Sequence, residues 1–216
     1  NLTISVEPRV DLRVQDVQHW TFNEGSGTTT NNAYGATQTG TITDNPFGSD
    51  LRPSFVAAGH EGSGMQFNGT TALTRDGGYV ALSTAVTDPL RGGNSSNGSA
   101  SMAFWIKTTQ TGGTIGWDSP SVIGSEQSGG AADVQWGWLD NTGRIGFGKG
   151  NDAGVMSTNA VNDNQWHHVA ITHNFATGAT EVWVGGVLNS SATRGAGALI
   201  PNGFLGFGVT NDSSAA

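Results

Sequence analysis

Apolar and polar residues alternate along several short segments of this chain. In residues 101–108, Met102, Phe104 and Ile106 fall on one side of an extended backbone, and the intervening residues fall on the other. This period of two is typical of a β-strand with one face against a core. Similar extended segments are predicted at 2–6, 10–22, 64–67, 79–82, 133–139, 144–148, 166–172, 180–184 and 203–209.

Two short polar segments between these strands carry the residues of tight turns. Residues 140–143, with the sequence DNTG, predict a hairpin between the strands at 133–139 and 144–148. Residues 174–178, with the sequence NFATG, predict a second hairpin. About a dozen strands in one chain favour an all-β fold of two packed sheets. The segments 31–62 and 89–99 are predicted to be the least structured.

The composition supports one β-rich domain. The chain has 216 residues, a length that suits a single domain. Its 34 glycines show no period of three and lie among 7 Trp and 9 Phe, which argues against both collagen and disorder. The absence of Cys excludes disulfides, thiolate metal sites and cysteine nucleophiles. Because the sequence starts at Asn1, we expect it to be part of a longer or processed protein.

The charge narrows the choice of partners. The net charge is −8 and the only lysines are Lys107 and Lys149, which argues against nucleic acid or an anionic membrane as a partner, because both need a basic patch. No apolar run approaches the ~20 residues of a membrane helix. Cations and neutral ligands remain compatible with this charge.

Four motifs in order resemble laminin G-like modules of the concanavalin A-like lectin/glucanase superfamily. The resemblance covers about residues 17–209 and implies an all-β, two-sheet antiparallel jelly-roll sandwich. It assigns residues 17–216 to the module, without its usual closing strand, and leaves 1–16 as an extension or extra strand. The motifs are HWTFNEGSGT at 19–28, GMQFNG at 64–69 with GYV at 78–80 as the next hairpin, SMAFWIK at 101–107, and VNDNQWHHVA at 161–170 continuing to VWVGGVL at 182–188.

The sequence lacks a recognisable catalytic cluster. Related glycan hydrolases carry a Glu-x-Asp-x-x-Glu strand, which supplies the two carboxylates that glycoside hydrolysis needs. No glutamate of this chain has an acidic residue two or five positions later. Glu126 and Asp133 are the remaining candidate pair. His167 and His168 are adjacent, so on a strand they face opposite sides and suit strand structure better than a shared metal.

Calcium is the cofactor that the resemblance implies. Calcium prefers six to eight oxygen ligands from carboxylates, amides and carbonyls of loops. Some laminin G-like modules hold such an ion at one rim, and a second ion can lie near the first motif. An alternative is that the Asn-Asp pairs only form turns. The matching positions here are Asp133, Asn151 or Asp152, and Asn211 or Asp212 for the rim ion, and Glu24 for the second ion.

Several tryptophans are candidates for stacking on a sugar. Trp20, Trp105 and Trp166 lie in motifs in which the family buries an aromatic residue, so we expect them in the core. Trp136 and Trp138 are predicted to share one strand face beside Asp133, where they either contact a ligand or fill the space left by the neighbouring glycines. Trp117 lies in a predicted loop. The candidate ligand-binding residues are Trp117, Asp118, Trp136, Trp138 and Asn151.

Together these observations predict an exported, calcium-dependent, carbohydrate-binding adhesion module without catalysis, at the cell surface or outside the cell. Its composition resembles that of modules in large bacterial surface adhesins. The expected partners are a glycan or cell-surface polysaccharide and neighbouring domains of a longer chain, with no nucleic acid and no membrane insertion. The alternatives are a catalytic jelly roll that acts on polysaccharide, and a structural or protein-binding spacer.

Overall fold

The computed structural model describes residues 17–34, 38–44, 51–68, 77–91, 98–126, 129–130, 133–150, 153–194 and 203–212. The predicted strand at 2–6, residues 10–16 of the predicted strand at 10–22, and the candidates Asn151 and Asp152 lie outside these ranges. Residues 17–22 form no strand, and Trp20 makes an isolated antiparallel bridge with Asn32. In the described part, the one α-helix is the four-residue α1 (Thr84–Thr87). None of its helices is long and apolar enough to span a membrane.

The described residues form fifteen strands in four sheets. The strands are β1 (Thr29–Asn31), β2 (Thr39–Thr43), β3 (Ser54–Val56), β4 (Gly64–Gln66), β5 (Tyr79–Ala81), β6 (Ser99–Ile106), β7 (Ile123–Glu126), β8 (Val134–Leu139), β9 (Arg144–Lys149), β10 (Val155–Ala160), β11 (His167–Asn174), β12 (Ala179–Val184), β13 (Val187–Thr193), β14 (Gly206–Phe207) and β15 (Val209–Asp212). In one sheet β1 pairs with β2, β2 with β5 and β5 with β14, and in another β3 pairs with β4. The five-stranded sheet has the order β10, β9, β8, β7 and β15, and the four-stranded sheet that contains β11 has the order β13, β12, β11 and β6.

The core lies between the five-stranded sheet and the four-stranded sheet that contains β11. Trp136 and Phe147 of the first and Val169, Ile171 and Val182 of the second are fully buried in one cluster. The alternation predicted for β6 is confirmed, because Phe104 and Met102 pack against this cluster while Trp105 points away. The all-β sandwich predicted from the sequence is therefore the observed fold.

A β-bulge at Gly137 separates the two tryptophans of β8. Trp136 pairs with Phe147 and Trp138 pairs with Gly146, so the register shifts between them. Gly137 has a φ of 68°, a conformation that glycine adopts without steric cost. Neighbouring residues of β9 face opposite sides, and hence Trp136 and Trp138 do too. The prediction that they share one face is wrong, because the alternation was counted without the bulge.

Both predicted hairpins form. β8 and β9 are joined by residues 140–143, where Gly143 N donates to Asp140 O at 3.0 Å. β11 and β12 are joined through Asn174, whose side-chain oxygen accepts from Ala176 N and Thr177 N at 3.0 Å each. The short polar side chains satisfy the turn backbone as expected for such residues.

The pairing near the N-terminal motifs differs from expectation. β4 does not pair with β5; it pairs with β3, while β5 lies between β2 and β14. β2 and β3 both fall in the segment predicted to be least structured. β2 has the sequence TGTIT, in which Gly40 and Ile42 are buried. Its alternation is carried by one large apolar residue, which is too weak a signal to read from the sequence.

Candidate functional site

The outer face of the five-stranded sheet, on the side away from the core, is built largely from glycine. Gly124, Gln135 and Gly148 pair across β7, β8 and β9. Trp138 lies on the same face, because its cross-strand partner Gly146 is two residues from Gly148. The glycines leave space beside the buried side chains of Gln135 and Trp138.

Gln135 and Trp138 are buried and each keeps one polar atom without a hydrogen bond. Gln135 Oε1 and Trp138 Nε1 have no partner among the described residues, although Gln135 Nε2 donates to Ser125 O at 3.4 Å. A Cβ atom at Gly148 would lie 3.0 Å from Trp138 Nε1 and 3.2 Å from Gln135 Oε1. A hydroxyl group is able to accept from the indole and donate to the amide oxygen. The two atoms therefore match the hydrogen-bonding pattern of a hydroxyl or a water molecule.

A short turn at Gly116–Asp118 lies over Gln135. A Cβ atom at Gly116 would approach Gln135 Oε1 to 2.5 Å, so the turn backbone rests directly on Gln135. Ser119 fixes the turn, since its Oγ accepts from Gly113 N at 2.9 Å and donates to Ile115 O at 2.7 Å. Trp117 at the top of the turn is 46% exposed. A braced turn thus presents an indole ring to solvent above buried polar groups.

The predicted ligand-binding residues that the structure describes form two groups, and Asn151 lies outside the described residues. Trp117 is exposed and available, and Asp118 shares its turn, although the side chain of Asp118 is outside the described structure. Trp136 and Trp138 are both buried, so their rings are covered and cannot stack on a sugar in this conformation. Of the two alternatives, packing in the core between the sheets holds for Trp136, whereas Trp138 is buried on the opposite face of the sheet. Gly148 lies beside Trp138, as the space-filling argument required.

The sequence reasoning missed Gln135 and placed Trp105 in the core. Gln135 is the polar residue in the segment VQWGWL, and a polar residue between buried apolar neighbours was a signal that the pattern offered. Trp105 is exposed on β6, so the expectation that it is buried is wrong. In the alternating pattern of β6, Trp105 falls on the side opposite to Phe104 and Ile106, and this position alone predicts that it faces away from the core.

The rim predicted to hold calcium is assembled in part. Val134 pairs with Ser125 of β7 and with Lys149 of β9, and Glu126 pairs with Asp212 of β15. Asp133 immediately precedes Val134, so it lies at the same end of the sheet as Asp212. Asp133 is fully buried, and Asn211 Nδ2 donates to Gly203 O at 2.6 Å. The described residues contain no cluster of three metal-ligating acidic or histidine side chains.

Glu24 lies in a separate place, in the turn before β1. Its Oε1 accepts from Thr30 Oγ1 at 3.0 Å and from Asn31 N at 2.8 Å. Its Oε2 is enclosed and has no hydrogen-bond partner among the described residues. A buried carboxylate oxygen without a donor is costly, and a bound cation would relieve that cost.

The paired histidines are part of β11, as predicted. His167 pairs with Ile106 and His168 with Trp105, so they point to opposite faces. His167 Nε2 lies 2.8 Å from Asp163 Oδ1. The hydrogen bond from His167, together with one from Gln165 N, holds the pKa of Asp163 below its ordinary range.

The chain belongs to the concanavalin A-like lectin/glucanases superfamily, whose laminin G-type model matches residues 74–216. The fold resemblance drawn from the sequence motifs is thereby confirmed. No curated protein matches the chain. A similar solved structure is domain 4 of AbnA, a GH43 extracellular arabinanase from Geobacillus stearothermophilus, in complex with arabinotriose. It is 20% identical, covers 78% of each chain and has a TM-score of 0.45.

Proposed function

We propose that this chain is a carbohydrate-binding domain whose contact surface is centred on Trp117, on the turn that covers Gln135 at the outer face of the five-stranded sheet. The observation that carries the proposal is the exposed indole of Trp117 on a braced turn whose backbone rests on Gln135. A sugar ring offers C–H groups to the flat indole face and hydroxyls to polar groups beside it. Membership in a superfamily of lectins and glucanases is in line with this chemistry.

Binding without catalysis fits the buried carboxylates better than hydrolysis does. Glycoside hydrolysis needs two carboxyl groups that both reach the scissile bond. Glu126 and Asp133 stand at the same end of neighbouring strands, but Asp133 is fully buried. A group enclosed in this way cannot contact a polysaccharide. Export, a place at the cell surface and attachment to neighbouring adhesion domains remain part of the proposal.

Replacing Trp117 by alanine is expected to weaken glycan binding on the order of tenfold, equivalent to ~1.4 kcal/mol. The reason is the loss of a rigid stacking surface, while little buried area is removed from the fold. Binding is measured by titration with soluble neutral polysaccharides, namely β-glucan, mannan, xylan and arabinan. Tyr34→Ala removes another exposed aromatic ring, far along the chain, and is the matched control.

The proposal fails if the unmodified chain binds none of these glycans, which would favour the spacer alternative. It also fails if Trp117→Ala and Tyr34→Ala bind equally well. Sustained release of reducing ends or unsaturated products from the same panel would instead favour the catalytic alternative.

We further propose that calcium stabilises the domain at Asp133 and Glu24. The support is the enclosed Oε2 of Glu24 and the position of Asp133 at the end of the sheet reached by Asp212. Asn151, Asp152 and Asn211 remain the proposed companions of Asp133. When bound, the ion would supply charge neutralisation for these carboxylates and tie loops together.

Removing calcium with EDTA is expected to lower the melting temperature of the domain by several degrees, with recovery when calcium is returned. Asp133→Asn and Glu24→Gln are each expected to reduce this calcium-dependent difference, since each removes one anionic ligand. Glu61→Gln replaces an exposed carboxylate and serves as the control. If EDTA leaves the melting temperature of the unmodified domain unchanged, the calcium proposal is wrong, whatever the variants do.

A further inference from the structure

The outer face of the four-stranded sheet carries a second group of aromatic residues, away from Trp117. Cross-strand pairing places Trp105 beside His168 on β6 and β11. One row further along the strands, Ala170 of β11 pairs with Trp183 of β12, and Trp183 pairs with Leu188 of β13. Because paired residues share a face, all five point away from the core.

The two indoles of this face are held in place by neighbouring groups. His60 stacks on Trp105 with ring centroids 3.4 Å apart and an interplanar angle of 9°, yet Trp105 remains 44% exposed. His168 approaches Trp105 edge-on at 5.2 Å. Trp183 Nε1 donates to Glu181 Oε2 at 3.2 Å, which directs the ring along its own strand. Fixed rings lose little conformational entropy on binding, so they are well suited to be contact surfaces.

Small and polar residues adjoin the rings in a regular order. Ala103 pairs with Ala170, which keeps the floor between the two indoles low. The next row across the sheet consists of hydroxyl groups and one carboxylate. Its members, paired in sequence across four strands, are Ser101, Thr172, Glu181 and Ser191.

The charge of this face favours an uncharged ligand. Among the residues of these rows, Glu181 carries the acidic side chain, and its carboxylate accepts a hydrogen bond from Trp183 Nε1. The chain as a whole has a net charge of −8, which repels polyanions. An uncharged, polyhydroxylated chain is complementary to such a surface, since its C–H faces cover the rings and its hydroxyls meet the polar row.

The length of the face favours an extended ligand. Trp105 and Trp183 stand two strands and two residues apart, a separation of roughly 12 Å from strand spacing and rise. One sugar ring cannot contact both indoles at that separation. A linear chain of several rings can contact both at once.

We propose that the outer face of the four-stranded sheet is a second glycan-contact surface, which binds an extended, neutral polysaccharide across Trp105 and Trp183. This inference rests on the proposed carbohydrate-binding function but uses different residues. Because Trp105 and Trp183 contact different rings of one ligand, a long polysaccharide is expected to bind more tightly than a short oligosaccharide.

The test compares Trp183→Ala with Val187→Ala in the intact chain. Val187 is exposed on the same hairpin but pairs with Val184, whose side chain packs toward the core, so it is a control on the other face. Trp183→Ala is expected to reduce affinity for the neutral polysaccharides on the order of tenfold, whereas Val187→Ala leaves it unchanged. Trp183→Phe keeps a smaller aromatic ring and is expected to bind measurably more weakly than Val187→Ala, though more tightly than Trp183→Ala, which covers the case in which the alanine variant is unstable.

The outcomes separate the two proposals. If the unmodified chain binds and Trp117→Ala abolishes binding while Trp183→Ala and Trp183→Phe match the control, the second surface is wrong and the first stands. If the unmodified chain binds none of the neutral polysaccharides, both are wrong. Equal or tighter binding of polygalacturonate at low salt would overturn the assignment of a neutral ligand. Selective shifts of the Trp105 and Trp183 indole resonances on titration with a neutral polysaccharide would support the surface directly.

Discussion

Replacing Trp136 by alanine is expected to lower the free energy of unfolding by about 4 kcal/mol. Trp136 is fully buried at the centre of the core and meets Phe147 edge-on, with ring centroids 4.8 Å apart. Its Nε1 also donates to Leu90 O at 3.1 Å, so the variant loses a hydrogen bond to the 88–91 turn in addition to packing. The measurement is chemical denaturation monitored by far-UV circular dichroism.

Two other tryptophan variants separate the contributions to this loss. Trp136→Phe keeps an aromatic ring and removes the indole N–H, so a smaller loss is expected, of about 2 kcal/mol. Trp117→Ala removes an equally large side chain from an exposed turn and is expected to leave stability within about 0.5 kcal/mol. Equal losses for Trp136→Ala and Trp117→Ala would contradict the assignment of Trp136 to the core.

Asp140 is expected to be the most important carboxylate for stability among the described residues. Its Oδ1 accepts from Thr142 N at 2.8 Å, Thr142 Oγ1 at 2.7 Å and Arg144 N at 3.0 Å. Its Oδ2 accepts from Arg144 Nε at 2.6 Å. Asp140→Ala is expected to cost about 3 kcal/mol, because the β8–β9 turn keeps donors that lose their acceptor. The ion pair itself contributes less than these bonds, since Arg144 is partly exposed.

The control for Asp140 is Asp163→Ala, which removes an exposed carboxylate that also accepts hydrogen bonds at a turn. We expect the melting temperature to fall clearly for Asp140→Ala and little for Asp163→Ala, measured by scanning calorimetry. A loss at Asp163 that matches the loss at Asp140 would show that burial of the turn carboxylate is not the cause.

The lowered pKa of Asp140 predicts that its contribution to the free energy of unfolding depends on pH. Burial alone would raise its pKa, but the hydrogen bonds from Thr142 and Arg144 outweigh burial and hold the pKa below the ordinary value of 3.8. A lowered pKa in the folded state means that the stabilisation is complete above the unfolded-state pKa and is lost as the pH falls through the folded-state pKa. The difference in unfolding free energy between the native chain and Asp140→Asn should therefore shrink below about pH 4. A difference that stays constant down to pH 2 would contradict this origin.

The local elements of the fold follow from short-range rules. β6 could be predicted because Met102, Phe104 and Ile106 alternate with residues that face away from the core. The turns at 140–143 and 174–178 could be predicted because their polar side chains hydrogen-bond to the backbone of the same turn. The motifs extended this reading to the sandwich as a whole. β2 and β3 were not predicted, because β2 has one large apolar residue and β3, with three residues, is too short for an alternation to show.

The candidate site was predictable only in part. Trp117 could be placed in a loop from its neighbours Gly116 and Asp118, and the structure leaves it exposed. The sequence could not show that Gln135 and Trp138 lie on the same face, because a single bulge at Gly137 decides which residues of β8 share a face. The same bulge turns Trp138 away from Trp136, and no alternation count contains it.

By itself, the sequence determined that this chain is an all-β domain with an acidic surface, two defined hairpins and strands with one apolar face, because these properties depend on neighbouring residues. Only the tertiary structure decided which faces are covered. It placed Trp136 in the core, Trp138 beside Gly148 and Trp105 in solvent, although all three are tryptophans in strands. Burial depends on what lies across the sheet and above it, and those partners come from distant parts of the chain, such as His60 over Trp105 and the 116–118 turn over Gln135.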